Sequence, residues 1–276
     1  MSINGAVKFF EQSYALFKNG VTATATSNDD AVKYILDVSR YTEWISIGSN
    51  DLTVETLLVT LPADKTINRI FLRDMNLKDF TVKYWNGSAF TAFTNVIGVN
   101  GVSTSGITET AYARDTSYYE FDAVSTDKLQ ILANKSQVVD AEKFIGGFVV
   151  TEEIGTFEGF PRVQPAANRN ETRKIALSKR AVIQKSYETN KVKITFKTHP
   201  YQSDLDIIET LFDREEPFLV YPCGGRTGTT YFKVEQKNWR LKDIYNVQLT
   251  GGLKNEYEKG VYTLGFNKSI TMAEHI

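Results

Sequence analysis

The sequence of 276 residues predicts a mainly β protein of two β-sandwich domains, the second of which carries one α-helix. Short runs rich in β-branched and aromatic residues, separated by turn residues, recur through the first half. The formal charge changes sign near the middle: residues 1–165 carry 14 Lys/Arg and 20 Asp/Glu, whereas residues 166–276 carry 18 and 13. Such a change of sign favours two domains over one, with electrostatically complementary surfaces.

Five apolar runs predict the strands of the first sandwich. Their alternating or clustered apolar residues and their short spacing are typical of a sandwich. The pair Asn86-Gly87 after the third run predicts a tight hairpin turn, because both residues tolerate positive φ. Residues 97–116 are rich in Gly, Ser and Thr and predict a long surface loop or a ragged hairpin. The five runs are residues 55–61, 67–72, 80–85, 118–122 and 128–132.

Prolines and glycines mark the expected boundary between the domains. Residues 151–171 hold two of the six prolines and two glycines, which is typical of a junction. We therefore expect an N-terminal arm at residues 1–20, a first sandwich at 21–150, a linker at 151–171 and a second domain at 172–276.

The second half begins with residues 175–197, which alternate basic and apolar residues and predict two strands with a solvated basic face. Ser203 and Asp206 then form a capping box, and the apolar residues that follow at helical spacing predict a helix over residues 203–212. A buried strand is predicted at residues 218–221, and two further strands at 230–234 and 259–266.

Composition excludes several classes of site. Cys223 is the only cysteine, which excludes an intramolecular disulfide and any zinc site of two or more thiolates. The only histidines are His199 and His275, so His-rich metal clusters are excluded as well. No stretch approaches the roughly eighteen consecutive apolar residues of a membrane span, and residues 1–10 lack a signal peptide pattern. We expect a protein that is made in the cytoplasm and does not insert into a membrane.

We expect no enzyme. A nucleophile needs a base at hydrogen-bond distance, and the lone Cys223 is better explained as a small packed residue. The carboxylates of Asp204, Asp206 and Glu209 are better explained by capping and the helix dipole than by glycosidase chemistry. Residues 224–228 lack the Gly-Lys-Ser/Thr ending of a phosphate loop and predict a hairpin turn.

Residues 35–51, ILDVSRYTEWISIGSND, place a tryptophan among hydroxyls and acids just before an apolar strand. Asp37, Thr42, Trp44 and Ser46, with the strands that follow, resemble the start of discoidin-like domains, also called coagulation factor 5/8 type C domains. The resemblance covers residues 21–135. It implies a galactose-binding-like β-sandwich of the jelly-roll type.

In many members of that family the aspartate and the threonine at these positions help to bind a structural calcium. The resemblance therefore implies Asp37 and Thr42 as candidate calcium ligands, and no other cofactor. Val38 and Ser39 depart from the pattern, because a glycine and a second acid are common there.

Some family members also bind carbohydrate on aromatic platforms. This implies Trp85, Tyr118 and Tyr119 as candidate carbohydrate-binding residues. For Trp44 we expect a place in the core of the sandwich, so that the stretch 35–51 is chiefly architectural.

The second half resembles the β-sandwich-plus-helix domains of tailed-phage tail proteins, those of the tail tube and of the distal tail or baseplate adaptor ring. The resemblance is carried by the basic strands at residues 179–197, the capped helix at 203–212, PFLVYPCGG at 217–225 and WRLKDI at 239–244. It covers residues 154–276. It implies a structural virion protein of a tail or baseplate, assembled in the bacterial cytoplasm.

The main expectation is therefore a tail component that forms a ring, as a trimer or hexamer, and contacts other tail proteins and a host-surface glycan. The candidate assembly interface comprises basic residues, and we expect a subunit contact there in preference to nucleic acid binding. The alternative is a carbohydrate-binding protein that uses the first domain for glycan attachment. The candidate interface residues are Lys179, Arg180, Lys191, Lys193 and Arg226.

Overall fold

The computed structural model describes residues 6–37, 42–98, 103–158, 161–175, 181–197, 207, 210–211, 218–224, 245–251 and 269–274. These residues contain seventeen β-strands in two antiparallel sheets of ten and seven strands. The prediction of a mainly β protein built from β-sandwich sheets is confirmed. The strands are β1 (Ala6–Phe10), β2 (Thr22–Ala25), β3 (Trp44–Ile45), β4 (Glu55–Met75), β5 (Leu77–Trp85), β6 (Phe90–Thr91), β7 (Val96–Gly98), β8 (Ser103–Thr104), β9 (Ile107–Glu109), β10 (Ser117–Ser136), β11 (Phe144–Thr151), β12 (Glu153–Glu158), β13 (Pro161–Ile175), β14 (Ala181–Lys197), β15 (Phe218–Gly224), β16 (Tyr245–Gly251) and β17 (Ser269–Glu274).

The ten-stranded sheet is organised around the two longest strands, β4 and β10, which pair from Glu55 opposite Ala133 to Leu72 opposite Ser117. Each of these strands contains two of the predicted runs. Residues 62–66 (PADKT) interrupt the apolar alternation and are exposed; the pairing shifts register here and resumes at Lys65 opposite Thr126. Pairing requires only backbone groups, so a break in the apolar pattern does not end a strand.

The core of this sheet encloses Trp44, which is completely buried. Its indole Nε1 donates to the carbonyl oxygen of Ser27 at 3.0 Å, which satisfies the one polar atom of the ring. The position of Trp44 in the core is therefore confirmed. Two 3-10 helices, Phe17–Asn19 and Asp29–Leu36, lie in the segment before it.

The seven-stranded sheet has the order β12-β1-β15-β16-β17-β14-β13. Strand β1 lies between β12 and β15 and pairs antiparallel with both. The chain therefore enters this sheet first, forms the ten-stranded sheet, and then returns. The sequence does not predict this arrangement, because a five-residue apolar strand carries no information about which later strands it pairs with.

Two segments that we expected to lie outside the sheets contribute strands to the seven-stranded sheet. The expected arm at 1–20 contains β1, and the expected linker at 151–171 contains β12 and most of β13. Pro161 and Pro165 are compatible with β13 because this strand lies at the edge of the sheet, where a missing N–H is tolerated. The division of the chain into domains stays a prediction.

The predicted helix at 203–212 is represented by Ile207, Thr210 and Leu211, which are helical. A Cβ atom on Gly155 would lie 2.6 Å from the Ile207 side chain, so the glycine in β12 allows the helix to pack closely. The rest of this helix and the strands predicted at 230–234 and 259–266 lie outside the described residues. In the described part of the chain, no helix has the length and apolar character needed to cross a membrane.

Aromatic side chains join the two sheets. Phe10 of β1 and Tyr221 of β15 pack on Phe71 of β4, with ring centroids 5.5 and 5.6 Å away. Tyr118 of β10 lies 4.5 Å from Phe71 and 4.9 Å from Tyr221. This cluster, completed by Val149 and Leu219, is buried. It supplies apolar contact between the two sheets.

Candidate functional site

The most exposed of the aromatic residues proposed for ligand binding is Trp85, at the end of β5. Its ring is partly exposed and meets the ring of Phe90 edge to face, with centroids 5.2 Å apart. The ammonium of Lys128 lies 5.5 Å from the centroid of the indole ring. We call Trp85, Phe90 and Lys128 the aromatic corner.

The backbone of the aromatic corner is held by a hairpin. Trp85 pairs with Phe90 across the β5–β6 turn, and Gly87 in that turn has φ of 94°. The side-chain oxygen of Asn86 accepts hydrogen bonds from the backbone N–H groups of Ser88 and Ala89, at 3.0 and 2.9 Å. A hairpin turn is present at the predicted position, but it comprises residues 86–89, and of the predicted pair Gly87 has the positive φ. This turn fixes where Trp85 and Phe90 lie.

A third strand completes this corner. The hydroxyl of Thr126 donates to the carbonyl oxygen of Trp85 at 2.8 Å. The Lys128 ammonium lies 3.8 Å from the carboxylate of Asp127, and both side chains are partly exposed. An apolar ring surface therefore lies beside one anion and one cation, an arrangement suited to a ligand with both apolar faces and hydroxyl groups.

Tyr118 and Tyr119, the other two residues proposed for carbohydrate binding, are buried. The hydroxyl of Tyr118 donates to Glu120 at 2.8 Å, and that of Tyr119 donates to Glu109 at 3.0 Å. Burial raises the pKa of both phenols well above the usual value. Neither ring presents a face to solvent, so this part of the proposed platform is corrected: both tyrosines pack in the interior.

Beneath Tyr118 lies a group of buried charges that spans the two sheets. Lys8 of β1 forms an ion pair with Glu120 of β10. Arg69 of β4 pairs with Glu153 of β12 and lies 3.6 Å from Glu120. The positive and negative groups balance, so we assign this cluster to the junction of the sheets and not to a ligand.

The residues proposed for calcium, Asp37 and Thr42, lie on either side of residues 38–41, which are outside the described part of the chain. The Thr42 hydroxyl is buried without a hydrogen-bond partner, as an unused oxygen ligand would be. Among the described residues, however, no three His, Cys, Asp or Glu side chains are grouped to hold a metal. The Asp37 carboxylate and the Thr42 hydroxyl supply at most three of the six to eight oxygens that Ca²⁺ takes, so a calcium site here stays a prediction.

Of the five candidate assembly residues, two lie in the described part of the chain. Lys191 and Lys193 lie on β14, opposite Ala166 and Gln164 of β13. Lys179, Arg180 and Arg226 lie outside the described residues, so their part in an interface stays a prediction.

Of the other residues considered for catalysis, the structure describes only Cys223. Cys223 lies on β15, which extends beyond the strand predicted at residues 218–221. His199, His275 and the helix carboxylates Asp204, Asp206 and Glu209 lie outside the described residues.

A second surface, which no sequence pattern indicates, is formed by residues 45–54 and 137–143; we call it the loop pair. Its centre is Lys143, whose ammonium donates to the Ser49 hydroxyl at 2.7 Å and to the carbonyl oxygens of Asn50 and Thr53 at 2.7 and 2.9 Å. Lys143 is completely buried. Burial lowers the pKa of its ammonium, while the carboxylates of Glu55 and Asp51 act in the opposite direction.

The loop pair and the aromatic corner lie at opposite ends of the ten-stranded sheet. Trp85 ends β5, whereas Leu77 begins it and pairs with Ser136, next to the loop pair. Strand β5 has nine residues, so its two ends lie roughly 27 Å apart. The two surfaces can therefore bind different partners.

No protein-family model and no curated protein matches the chain. Among solved structures, it is similar to chitosan-binding module 1 of a chitosanase/glucanase from Paenibacillus sp. IK-5, with 19% identity and a TM-score of 0.40. That match covers 51% of this chain and 98% of the module.

A second similar structure is chitosan-binding module 2 of the same enzyme in complex with chitotriose, with 16% identity, coverage of 50% and 98%, and a TM-score of 0.38. A third is the family 32 carbohydrate-binding module of Clostridium perfringens NanJ in complex with galactose. It is 18% identical, with 53% of this chain and 99% of the module covered and a TM-score of 0.37. These structural neighbours are carbohydrate-binding modules.

Proposed function

We propose that the protein is a non-catalytic carbohydrate-binding protein, and that the aromatic corner is its binding site. The observation that carries this proposal is the partly exposed Trp85, set edge to face against Phe90 beside the charged groups of Asp127 and Lys128. No chemical change of the ligand is part of the proposal.

The binding mode follows from the chemistry of these groups. The C–H face of a sugar ring is apolar and packs on an indole ring, which removes apolar surface from water. The sugar hydroxyls can donate to the carboxylate of Asp127 and accept from the ammonium of Lys128. The hairpin fixes Trp85 and Phe90 before the ligand arrives, so little conformational entropy is lost on binding.

The test is a calorimetric titration of the purified protein with a panel of neutral and acidic oligosaccharides, together with tryptophan fluorescence. We expect saturable binding to at least one sugar and its loss in Trp85→Ala. Phe17→Ala, which removes an exposed aromatic ring on the 3-10 helix Phe17–Asn19, is the matched control and should bind as the wild type does. Equal binding by wild type and Trp85→Ala would refute the site.

A second candidate function is a structural component of a phage tail or baseplate, present in the virion. The observation that favours the self-assembly such a component needs is the hairpin of β13 and β14. Strand β14 pairs with β17 only over Ile194–Lys197, whereas β13 and β14 continue to Ile175 opposite Ala181. Among the described strands, residues 164–175 and 181–193 therefore pair only with each other, over roughly 40 Å.

This hairpin is strongly basic. Its described residues, 161–175 and 181–197, carry eight Lys/Arg and two Asp/Glu, a net charge of 8 − 2 = +6 in a chain whose total is −1. The remaining residues are therefore net negative, at −7. Copies of the chain can attract one another when the hairpin of one meets an acidic surface of the next.

Light scattering at several concentrations and salt levels tests this second function. A discrete oligomer, such as a trimer or hexamer, that dissociates as salt rises is expected. A monomer under all conditions would rule out assembly of the chain by itself, and would leave the carbohydrate proposal untouched.

A further inference from the structure

The loop pair exposes an unusual amount of apolar side chain. Six aliphatic residues at one end of the ten-stranded sheet are open to solvent, and they are contributed by two loops that touch each other. Single exposed aliphatic residues are common, but a group of them marks a binding surface. Their exposed fractions are Ile45 37%, Ile47 66%, Leu52 93%, Val54 52%, Val138 68% and Val139 74%.

Hydrogen bonds between the two loops hold this surface in place. The backbone N–H of Gly48 donates to the Glu142 carboxylate at 3.2 Å, and that of Asp51 donates to Asp140 at 3.3 Å. Lys143 adds three further bonds to the first loop. The apolar side chains are thus held outward on a preformed surface, which lowers the entropic cost of binding a partner.

The exposed charges that these loop segments themselves contribute to the surface are negative. Residues 43–54 carry Glu43 and Asp51, and residues 137–143 carry Asp140 and Glu142. The only basic residue of these segments is Lys143, and its ammonium is buried within the loop pair. The surface is therefore apolar with an acidic rim, and its partner must combine apolar side chains with positive charge.

We infer that the loop pair of one copy binds the β13–β14 hairpin of a second copy. The far end of the hairpin has the required composition: Arg173, Lys174 and Ile175 end β13, and Val182, Ile183 and Lys185 lie on β14. No acidic residue lies between positions 172 and 187. An anionic membrane is a poorer partner, because its surface potential repels the acidic rim.

This contact is heterologous, because it joins two different surfaces of the same chain. Each copy then binds one neighbour through its hairpin and another through its loop pair. Successive contacts therefore close into a ring or continue as a filament. The inference rests on the second function proposed above and names the two surfaces that carry it out.

The test uses the full chain and two variants that each lose one surface. Leu52→Ser/Val139→Ser removes two of the most exposed apolar side chains of the loop pair, and Arg173→Glu/Lys174→Glu reverses the charge at the far end of the hairpin. We expect each variant alone to fall from the oligomeric mass of the wild type to the monomeric mass in light scattering. Circular dichroism and urea unfolding verify that both remain folded.

Mixing the two variants gives the decisive measurement. Each retains the surface that the other has lost, so a heterologous contact predicts a dimer of one copy of each and nothing larger. Phe17→Ser, which replaces an exposed apolar residue elsewhere, is the control and should assemble like the wild type.

Three results would overturn the inference. If the wild type is a monomer, both the inference and the assembly function fail. If the wild type assembles and the loop variant assembles equally well, assembly survives and the proposed surfaces are wrong. If the wild type binds vesicles of anionic phospholipid and Leu52→Ser/Val139→Ser does not, the loop pair is a membrane surface.

Discussion

The ammonium of Lys143 donates a hydrogen bond to the hydroxyl of Ser49 at 2.7 Å, and this bond joins the two loops of the loop pair. The carbonyl oxygens of Asn50 and Thr53 complete the contacts of this ammonium. A buried ammonium is costly unless its hydrogens are used, and here all three are donated. Lys143 therefore organises the loop pair from the inside.

Replacing Lys143 with methionine should reduce the free energy of unfolding by about 2 kcal/mol. Methionine keeps the length of the side chain but removes the donor to the Ser49 hydroxyl and to the carbonyl oxygens of Asn50 and Thr53. Urea unfolding measures the change. Lys135→Met, at an exposed position on β10, is the matched control and should change stability by no more than about 0.5 kcal/mol. If Lys143→Met leaves the free energy of unfolding unchanged, water replaces the ammonium as the hydrogen-bond donor.

The ion pair between Lys8 and Glu120 should be strongly coupled. Lys8→Met leaves the Glu120 carboxylate without its nearest cation in a buried environment and should cost roughly 3 kcal/mol. In the double variant Lys8→Met/Glu120→Gln the carboxylate is neutral, so the total loss should be smaller than the sum of the single losses by at least about 1 kcal/mol. Urea unfolding of the four proteins gives the coupling, and additive losses would contradict it.

Gly146 should tolerate a methyl group less well than Gly147. A Cβ at Gly146 would lie 2.7 Å from the Cβ of Asp74, which is fixed to the backbone, and alanine there should cost about 2 kcal/mol. At Gly147 the nearest atom is the terminal nitrogen of Arg73, 2.8 Å away, at the end of a side chain that can move. Gly147→Ala should cost about 1 kcal/mol or less, and the opposite order in thermal unfolding would refute this account.

Stability should fall steeply in alkaline solution because of the buried tyrosines. Burial raises the pKa of Tyr112, Tyr118 and Tyr119 above the ordinary value of 10. Above pH 10 the unfolded chain loses these protons while the folded chain keeps them, so the stability that they contribute is present below pH 10 and is lost as pH rises through the folded pKa. Each group contributes a slope of about 1.4 kcal/mol per pH unit in that range.

Urea unfolding between neutral pH and pH values above 10 measures this effect, with tyrosinate absorbance as a second probe. Tyr118→Phe removes one of the three buried phenols and should reduce the slope by about a third. Tyrosinate absorbance that rises fully before unfolding would contradict the prediction.

The sequence could predict the elements whose signal is local. Alternation of apolar residues found most of β4, β5 and β10, and the pair Asn86-Gly87 found the turn beside Trp85. The burial of Trp44 also followed, because an indole before an apolar strand is usually core. In each case a few neighbouring residues carry the information.

The sequence could not predict the roles of Tyr118, Tyr119 and Lys143. Tyrosines next to each other on a strand point to opposite faces: Tyr119 lies in the core of the ten-stranded sheet, whereas Tyr118 is buried against residues of the second sheet. From sequence alone, Lys143 is expected at the surface, since lysine is rarely buried unless its ammonium is paired. Its partners, Ser49, Asn50 and Thr53, lie some ninety residues earlier in the chain.

By itself, then, the sequence determined a mainly β protein with an indole in its first core and a basic segment in its second half. Only the tertiary structure decided that β1 returns to the seven-stranded sheet, that one aromatic side chain of the three proposed stays at the surface, and that two loops expose a common apolar face. The physical reason is that burial and surface are properties of contacts between distant segments. Periodicity and turn residues report only how each segment folds locally.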